Sequence, residues 1–184
     1  MRVRAPVMVG RDNEVRTLTE ALAAARTGRG SSIFAVGESG IGKSRLASVV
    51  TEAGLAASMV ILRGRASSVG PIAPFRPLTV VAEAVLRLCG LVSRDRGGLF
   101  VLEDLHDADA ETLAVVEYLT DNLAGQPVVL LGTIRTDPSP ALDLIRSAEQ
   151  RGSATLVELR RHGRGKHRVR RRAARRFRGR GVAA

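Results

Sequence analysis

Val36-Gly37-Glu38-Ser39-Gly40-Ile41-Gly42-Lys43-Ser44 decides how the rest of this chain is read. It meets the pattern G-x-x-x-x-G-K-[ST] at every fixed position. Ser32 to Val36 before it is a short apolar run that predicts a buried strand. Ser44 to Val50 after it has helical character, continuing to about Ala53 with Gly54 as the expected stop. In a strand–loop–helix unit of this kind the glycines let backbone N–H groups turn inward onto phosphate oxygens, and the helix N-terminus adds partial positive charge. Lys43 is placed to reach the outer phosphates and the Ser44 hydroxyl to ligate Mg²⁺. Gly37, Glu38, Ser39, Gly40, Ile41, Gly42, Lys43, Ser44 and Arg45 are the candidate nucleotide contacts.

The flanking sequence repeats the alternation. Asp12 to Thr27 has apolar residues at Val15, Leu18, Leu22 and Ala25, a helical spacing. Ser58 to Gly64, Gly98 to Leu102, Pro127 to Thr133 and Ala154 to Leu159 read as further strands. Leu78 to Leu88, closed by Gly90, the stretch from the Asp109 cap to about Leu123, and Pro138 to Gln150 read as helices. Arg65 to Pro77, with three prolines, reads as a loop. Continuous apolar strands alternating with helices predict an α/β fold, a parallel sheet covered on both faces. Ligands of such sheets bind beyond the carboxyl ends of the strands. The glycine-rich loop, Glu103-Asp104 and Thr133-Ile134-Arg135 all fall at such ends.

Bound Mg²⁺ needs a carboxylate across from the loop serine. Leu99-Phe100-Val101-Leu102-Glu103-Asp104 supplies one, an apolar strand with two acids at its tip. The expected roles are Glu103 holding the metal through water and Asp104 polarising the attacking water. The reverse assignment stays open, and so does an acidic helix-capping turn. Arg135 is a cation at a strand tip, for which a surface salt bridge is the alternative.

Composition limits the other classes. The chain has 184 residues, 45% of them hydrophobic, with four Phe, one Tyr and no Trp, so a core of Leu, Val, Ile and Ala is expected. The lone Cys89 sits in an apolar helical stretch and reads as core. The three histidines lack metal-ligand spacing, and no signal peptide or membrane-length apolar run is present, which makes the cytoplasm the expected location and excludes a membrane partner. The net charge of +11 is segregated: residues 160–184 carry twelve Arg or Lys and no acid, against 17 basic and 18 acidic side chains in residues 1–159. The expected division is a core domain over 1–159 and a basic, disordered tail over 160–184. Three readings of the tail stand: an arm binding nucleic acid without sequence preference, an inert solvated tail, or the product of a shifted reading frame in a GC-rich gene.

Several motifs occur in a fixed order: Val9-Gly10-Arg11-Asp12-Asn13-Glu14, Gly37 to Ser44, Ala73-Pro74-Phe75-Arg76-Pro77-Leu78, Leu102 to Asp109, and Gly132-Thr133-Ile134-Arg135. Together they resemble the AAA-type, STAND-class ATPase domain of bacterial regulators, as in large ATP-binding LuxR-type transcription activators. The resemblance covers roughly residues 7–159. It implies a three-layer P-loop NTPase fold with a five-stranded parallel sheet of order 5-1-4-3-2, and ATP and Mg²⁺ as cofactors. It implies that Val9, Gly10 and Arg11 lie near the adenine and that Arg135 senses the γ-phosphate. The family usually has Trp where this chain has Asp107, and the connection from Pro77 to Leu99 is short for it. A helical lid, a winged-helix-like segment and sensing repeats would follow Leu159 in the family. None fits in residues 160–184, so a truncated member with weak affinity and slow or no hydrolysis is expected. The alternative function is nucleic-acid binding through the tail, with the ATPase core as scaffold.

Overall fold

The computed structural model describes residues 10–66 and 78–160. In chain order the elements are α1 (Asp12–Ala25), β1 (Ser31–Gly37), α2 (Lys43–Ala56), β2 (Val60–Arg65), α3 (Leu78–Ser93), β3 (Gly98–Glu103), α4 (Ala110–Asn122), β4 (Val128–Ile134), α5 (Pro140–Arg151) and β5 (Ala154–Leu159). A 3₁₀ turn, Leu105–Asp107, links β3 to α4. The five strands form one parallel sheet in the order β2-β3-β4-β1-β5. This is the expected order, and the architecture is that of the P-loop NTPases. The expected motif Ala73–Leu78, Val9, and the basic tail beyond Arg160 lie outside the described residues, apart from Leu78 at the start of α3.

Alternation along each strand divides the core in two. Ile33 and Ala35 of β1, Leu99 and Val101 of β3, and Val129 and Leu131 of β4 pack under α1 and α2. Phe34, Val36, Val128, Leu130 and Ile134 face the opposite way, against α3, α4 and α5. Burial on both faces explains why β4 reads as unbroken apolar sequence: all seven of its residues are buried. Cys89 is buried in the second layer, as core. Among the described residues no helix is long and apolar enough to cross a membrane.

Helix termini follow their local chemistry. Asp109 caps α4 by accepting the Thr112 N–H at 2.6 Å, and Ser139 caps α5, which has Pro140 in its first turn and left-handed Gly152 behind it. Two expected stops are not stops. α2 runs through Gly54 and α3 through Gly90. Each glycine has the end of a side chain from another element close by: a Cβ on Gly54 would lie 2.9 Å from Ile61 Cδ1, and one on Gly90 would lie 2.4 Å from Gln126 Oε1. The chain leaves α2 at left-handed Ser58, and β2 begins at Val60, two residues later than the apolar pattern suggests.

Gly132, at the middle of β4, sets the spacing on the α4/α5 side. A Cβ there would lie 2.3 Å from Phe34 Cδ1 and 2.8 Å from Leu105 Cδ1. Neither side chain has room to withdraw, since both are buried. Gly132→Ala is therefore expected to destabilise the fold by about 1–3 kcal/mol, as overpacking of a filled core does. Urea unfolding would read this as a lowered midpoint, and an unchanged midpoint would contradict the packing described.

Candidate nucleotide site

The carboxyl ends of β1, β3 and β4 converge on one edge of the sheet. β1 lies between β4 and β5, whereas the chain leaving β1 crosses to the far edge at β2. That reversal makes the carboxyl ends of β1 and β4 a topological switch point, the place where parallel sheets bind ligands.

The loop after β1 starts at buried Gly37, where a Cβ would lie 2.8 Å from the Leu159 carbonyl oxygen and 2.8 Å from Ile41 Cγ2. β5 thus presses against the loop, and only glycine fits. Gly40 and Gly42 take positive φ, 72° and 102°, which aims successive backbone groups to the same side. Gly42 caps α2 with no side chain of its own, so the first-turn N–H groups stay available to a ligand. Glu38, Ser39, Gly40, Ser44 and Arg45 are exposed, while Lys43 is buried. Lys43 Nζ donates to the carbonyls of Gly37 at 2.6 Å and Glu38 at 2.8 Å. The ammonium is folded back under its own loop, satisfied by backbone oxygens. Burial, and then the positive charge of Arg135, hold its pKa below the ordinary 10.5, against a raising influence from Asp104 and Asp137. Arg135 and Asp104 thus both bear on the charge of Lys43.

Glu103 ends β3 on the same sheet face as Leu99 and Val101, the face covered by α2. It is only 4% exposed. Nε and Nη2 of Arg63 both donate to its Oε1, at 3.0 and 2.6 Å. Its Oε2 is buried without a hydrogen-bond partner. Asp104 turns out of the strand in the left-handed region, φ 58° and ψ 40°, a conformation aspartate tolerates better than most side chains. Its N–H donates to Thr133 Oγ1 at 3.0 Å, which fixes the turn to β4, and its Oδ2 lies 3.3 Å from Arg65 Nε.

These residues fit Mg²⁺. A buried carboxylate oxygen that lacks a donor is the kind of atom a hard cation takes, and Glu103 Oε2 is one. Ser44 offers a hydroxyl from the first turn of α2, on the same face of the sheet. Among the described residues no group of three or more His, Cys, Asp or Glu comes together. A metal here would draw its other ligands from phosphate and water, as Mg²⁺ commonly does.

Arg11 stands apart from this cluster. Its guanidinium is buried, donating to Glu14 Oε1 at 3.2 Å and to the Arg160 carbonyl at 2.7 Å. It ties the start of α1 to the end of β5. Gly10, beside it, has φ 75°. Arg63, Arg65 and Asp137 are additions to the sequence motifs, and Thr133, inside the motif Gly132 to Arg135, gains its role here. The arginine pair had a signal: Ile61, Arg63 and Arg65 alternate, so both cations share one face of β2. The partner of Thr133 had no such signal, because it depends on the β3–β4 register.

The comparisons agree with this architecture. Residues 7–89 match the family model described as AAA ATPase domain. No curated protein matches the sequence. Among solved structures, a RuvB mutant of Thermotoga maritima is 18% identical with a TM-score of 0.51, over 83% of this chain and 47% of that one. A DNA polymerase III gamma subunit-related protein of the same organism is 10% identical with a TM-score of 0.50, over 79% of this chain and 45% of that one. The chain spans about half the length of these structures, and at such identities they speak for the fold alone. The described residues have the P-loop NTPase fold, and residues 7–89 are similar to the family described as AAA ATPase domain.

Proposed function

We propose that this chain binds ATP with Mg²⁺ at the edge formed by β1, β3 and β4, as the nucleotide-switch domain of a bacterial signalling or transcription-regulating ATPase of the STAND, LuxR-type kind. The observation that carries the ATP site is Lys43. A buried ammonium that donates to the carbonyls at 37 and 38 can exchange them for phosphate oxygens. The glycine-rich loop contributes its amides, and Arg135 meets the terminal phosphate. Asp104 orients water, held in place through its N–H bond to Thr133. Ser44 and Glu103 hold the metal, which when bound neutralises phosphate charge. Gly10 and Arg11 border the base through backbone, since the Arg11 guanidinium is engaged by Glu14 and Arg160. Nucleotide state would then bias a two-state conformation, as phosphate contacts do in other switches. A second reading, nucleic-acid binding by residues 160–184, is supported by the charge segregation alone. Its mark would be salt-sensitive DNA binding that disappears with those residues.

Lys43→Ala is expected to weaken ATP binding by an order of magnitude or more, because a charge-assisted phosphate contact is lost. Equal affinities of mutant and wild type by calorimetry would overturn the site. Binding should also depend on pH with a defined sign. Phosphate favours the protonated ammonium, so the Lys43 pKa rises on binding from its lowered value in the free protein. ATP affinity should therefore be flat below that free-protein pKa and fall as pH climbs through it, starting under 10.5, with proton uptake on binding in the same window. An affinity that does not fall as pH rises to the ordinary lysine range would contradict contact between Lys43 and phosphate.

Asp104→Asn keeps the shape of the turn and removes the charge. It should slow hydrolysis far more than it weakens ATP binding. If it abolishes Mg²⁺-dependent binding while Glu103→Gln does not, the roles of the two acids are reversed.

A further inference from the structure

The two acids at the tip of β3 are held by two arginines of one neighbouring strand. In the parallel register Arg65 lies opposite Glu103 and Arg63 opposite Val101. Both side chains share the face on which Glu103 stands. Each acid has its own cation: Arg65 reaches Asp104, and Arg63 reaches back to Glu103. The two pairs differ in burial. Both partners of the outer pair have solvent beside them, whereas the Glu103 side chain is 5% exposed against 42% for that of Arg63. A carboxylate so deeply placed needs a counter-charge, and among the described residues the one seen on it is the Arg63 fork.

We propose that Arg63 supplies on Oε1 the positive charge that Mg²⁺ would bring to Glu103, so that Mg²⁺ arriving at the donor-free Oε2 competes with Arg63 for the carboxylate and drives it off. The inference rests on the nucleotide reading above. Arg63 is a positioning residue and touches no substrate. Three observations converge on it. Both nitrogens of the fork bear on a single oxygen, Oε1, and leave Oε2 without a donor. A guanidinium and a divalent cation on one carboxylate repel each other strongly where water is excluded. And Arg63 has somewhere to go: β2 is the edge strand, and nearly half of the arginine side chain already faces solvent. Metal loading therefore frees a charged side chain on the outer strand. The state of the buried site becomes readable at the rim of the sheet.

The test uses the whole chain and titrates Mg²⁺ at a fixed, saturating concentration of a non-hydrolysable ATP analogue, with nucleotide binding first measured in the absence of metal. Arg63→Met should lower the Mg²⁺ concentration at half-saturation by about tenfold. It should also lower the melting temperature of the metal-free protein, and Mg²⁺ with nucleotide should recover more of that loss than the same addition gives wild type. Arg63→Lys keeps the charge and loses the fork, so its Mg²⁺ midpoint should lie between the two. In wild type the Arg63 Nε–H resonance should lose its hydrogen-bonded shift when Mg²⁺ is added to the nucleotide complex, a readout that survives if the variants fail to fold. A midpoint that is unchanged or raised in Arg63→Met, or an Arg63 resonance indifferent to Mg²⁺, overturns the proposal: Arg63 would then be holding Glu103 in position for the metal. A wild-type chain that binds no nucleotide at all overturns the functional reading itself. Binding with an unmoved midpoint overturns this inference only.

Discussion

β4 is the constraint on which the site depends. It is hydrogen-bonded to β1 on one side and β3 on the other, through registers that pair Val36 with Ile134 and Leu102 with Gly132. Those registers bring the glycine-rich loop and the acidic tip to the same edge, one strand apart. Every further contact is downstream of this spacing. Thr133 can accept from the Asp104 N–H only because β4 reaches as far as β3 does. Phe34 and Leu105 meet over Gly132 because no side chain stands between them. The sheet is buried on both faces, so slipping the register by one residue would exchange the two halves of the core.

Charged groups at this end of the sheet pair with other groups of the protein. Lys43 turns to two carbonyls, and Glu103 and Asp104 turn to arginines from β2. The carbonyls stand where phosphate oxygens would be the better acceptors, and Arg63 supplies the charge that a metal would bring to Glu103. Such pairing leaves few of the buried charges there uncompensated. It also makes binding an exchange of partners. The free energy of a new contact is then the difference between two paired states, far smaller than the contact taken alone.

Much of this was legible in the sequence. The loop from Gly37 to Ser44, the acids at 103 and 104 and the apolar strands gave the fold class, and the ordered motifs implied the strand order that the structure has. What could not be read was pairwise geometry. Gly54 and Gly90 looked like helix ends because glycine commonly ends helices, yet both lie inside helices, each with the end of a side chain from another element close by. Arg11 carries a motif position, and its guanidinium is spent on Glu14 and the end of β5, 149 residues away in the chain. Arg63 and Thr133 matter only through neighbours across the sheet, and one sequence without its register does not name those neighbours.

The central claim is that loop and acids form one nucleotide site. Hydrogen–deuterium exchange of the backbone amides, with and without ATP and Mg²⁺, tests it most directly. The account predicts slowed exchange in two separated segments at once, 38–45 around the start of α2 and 103–105 at the end of β3, with α3 unaffected. Unchanged exchange at 38–45, or protection confined to other elements, would contradict it.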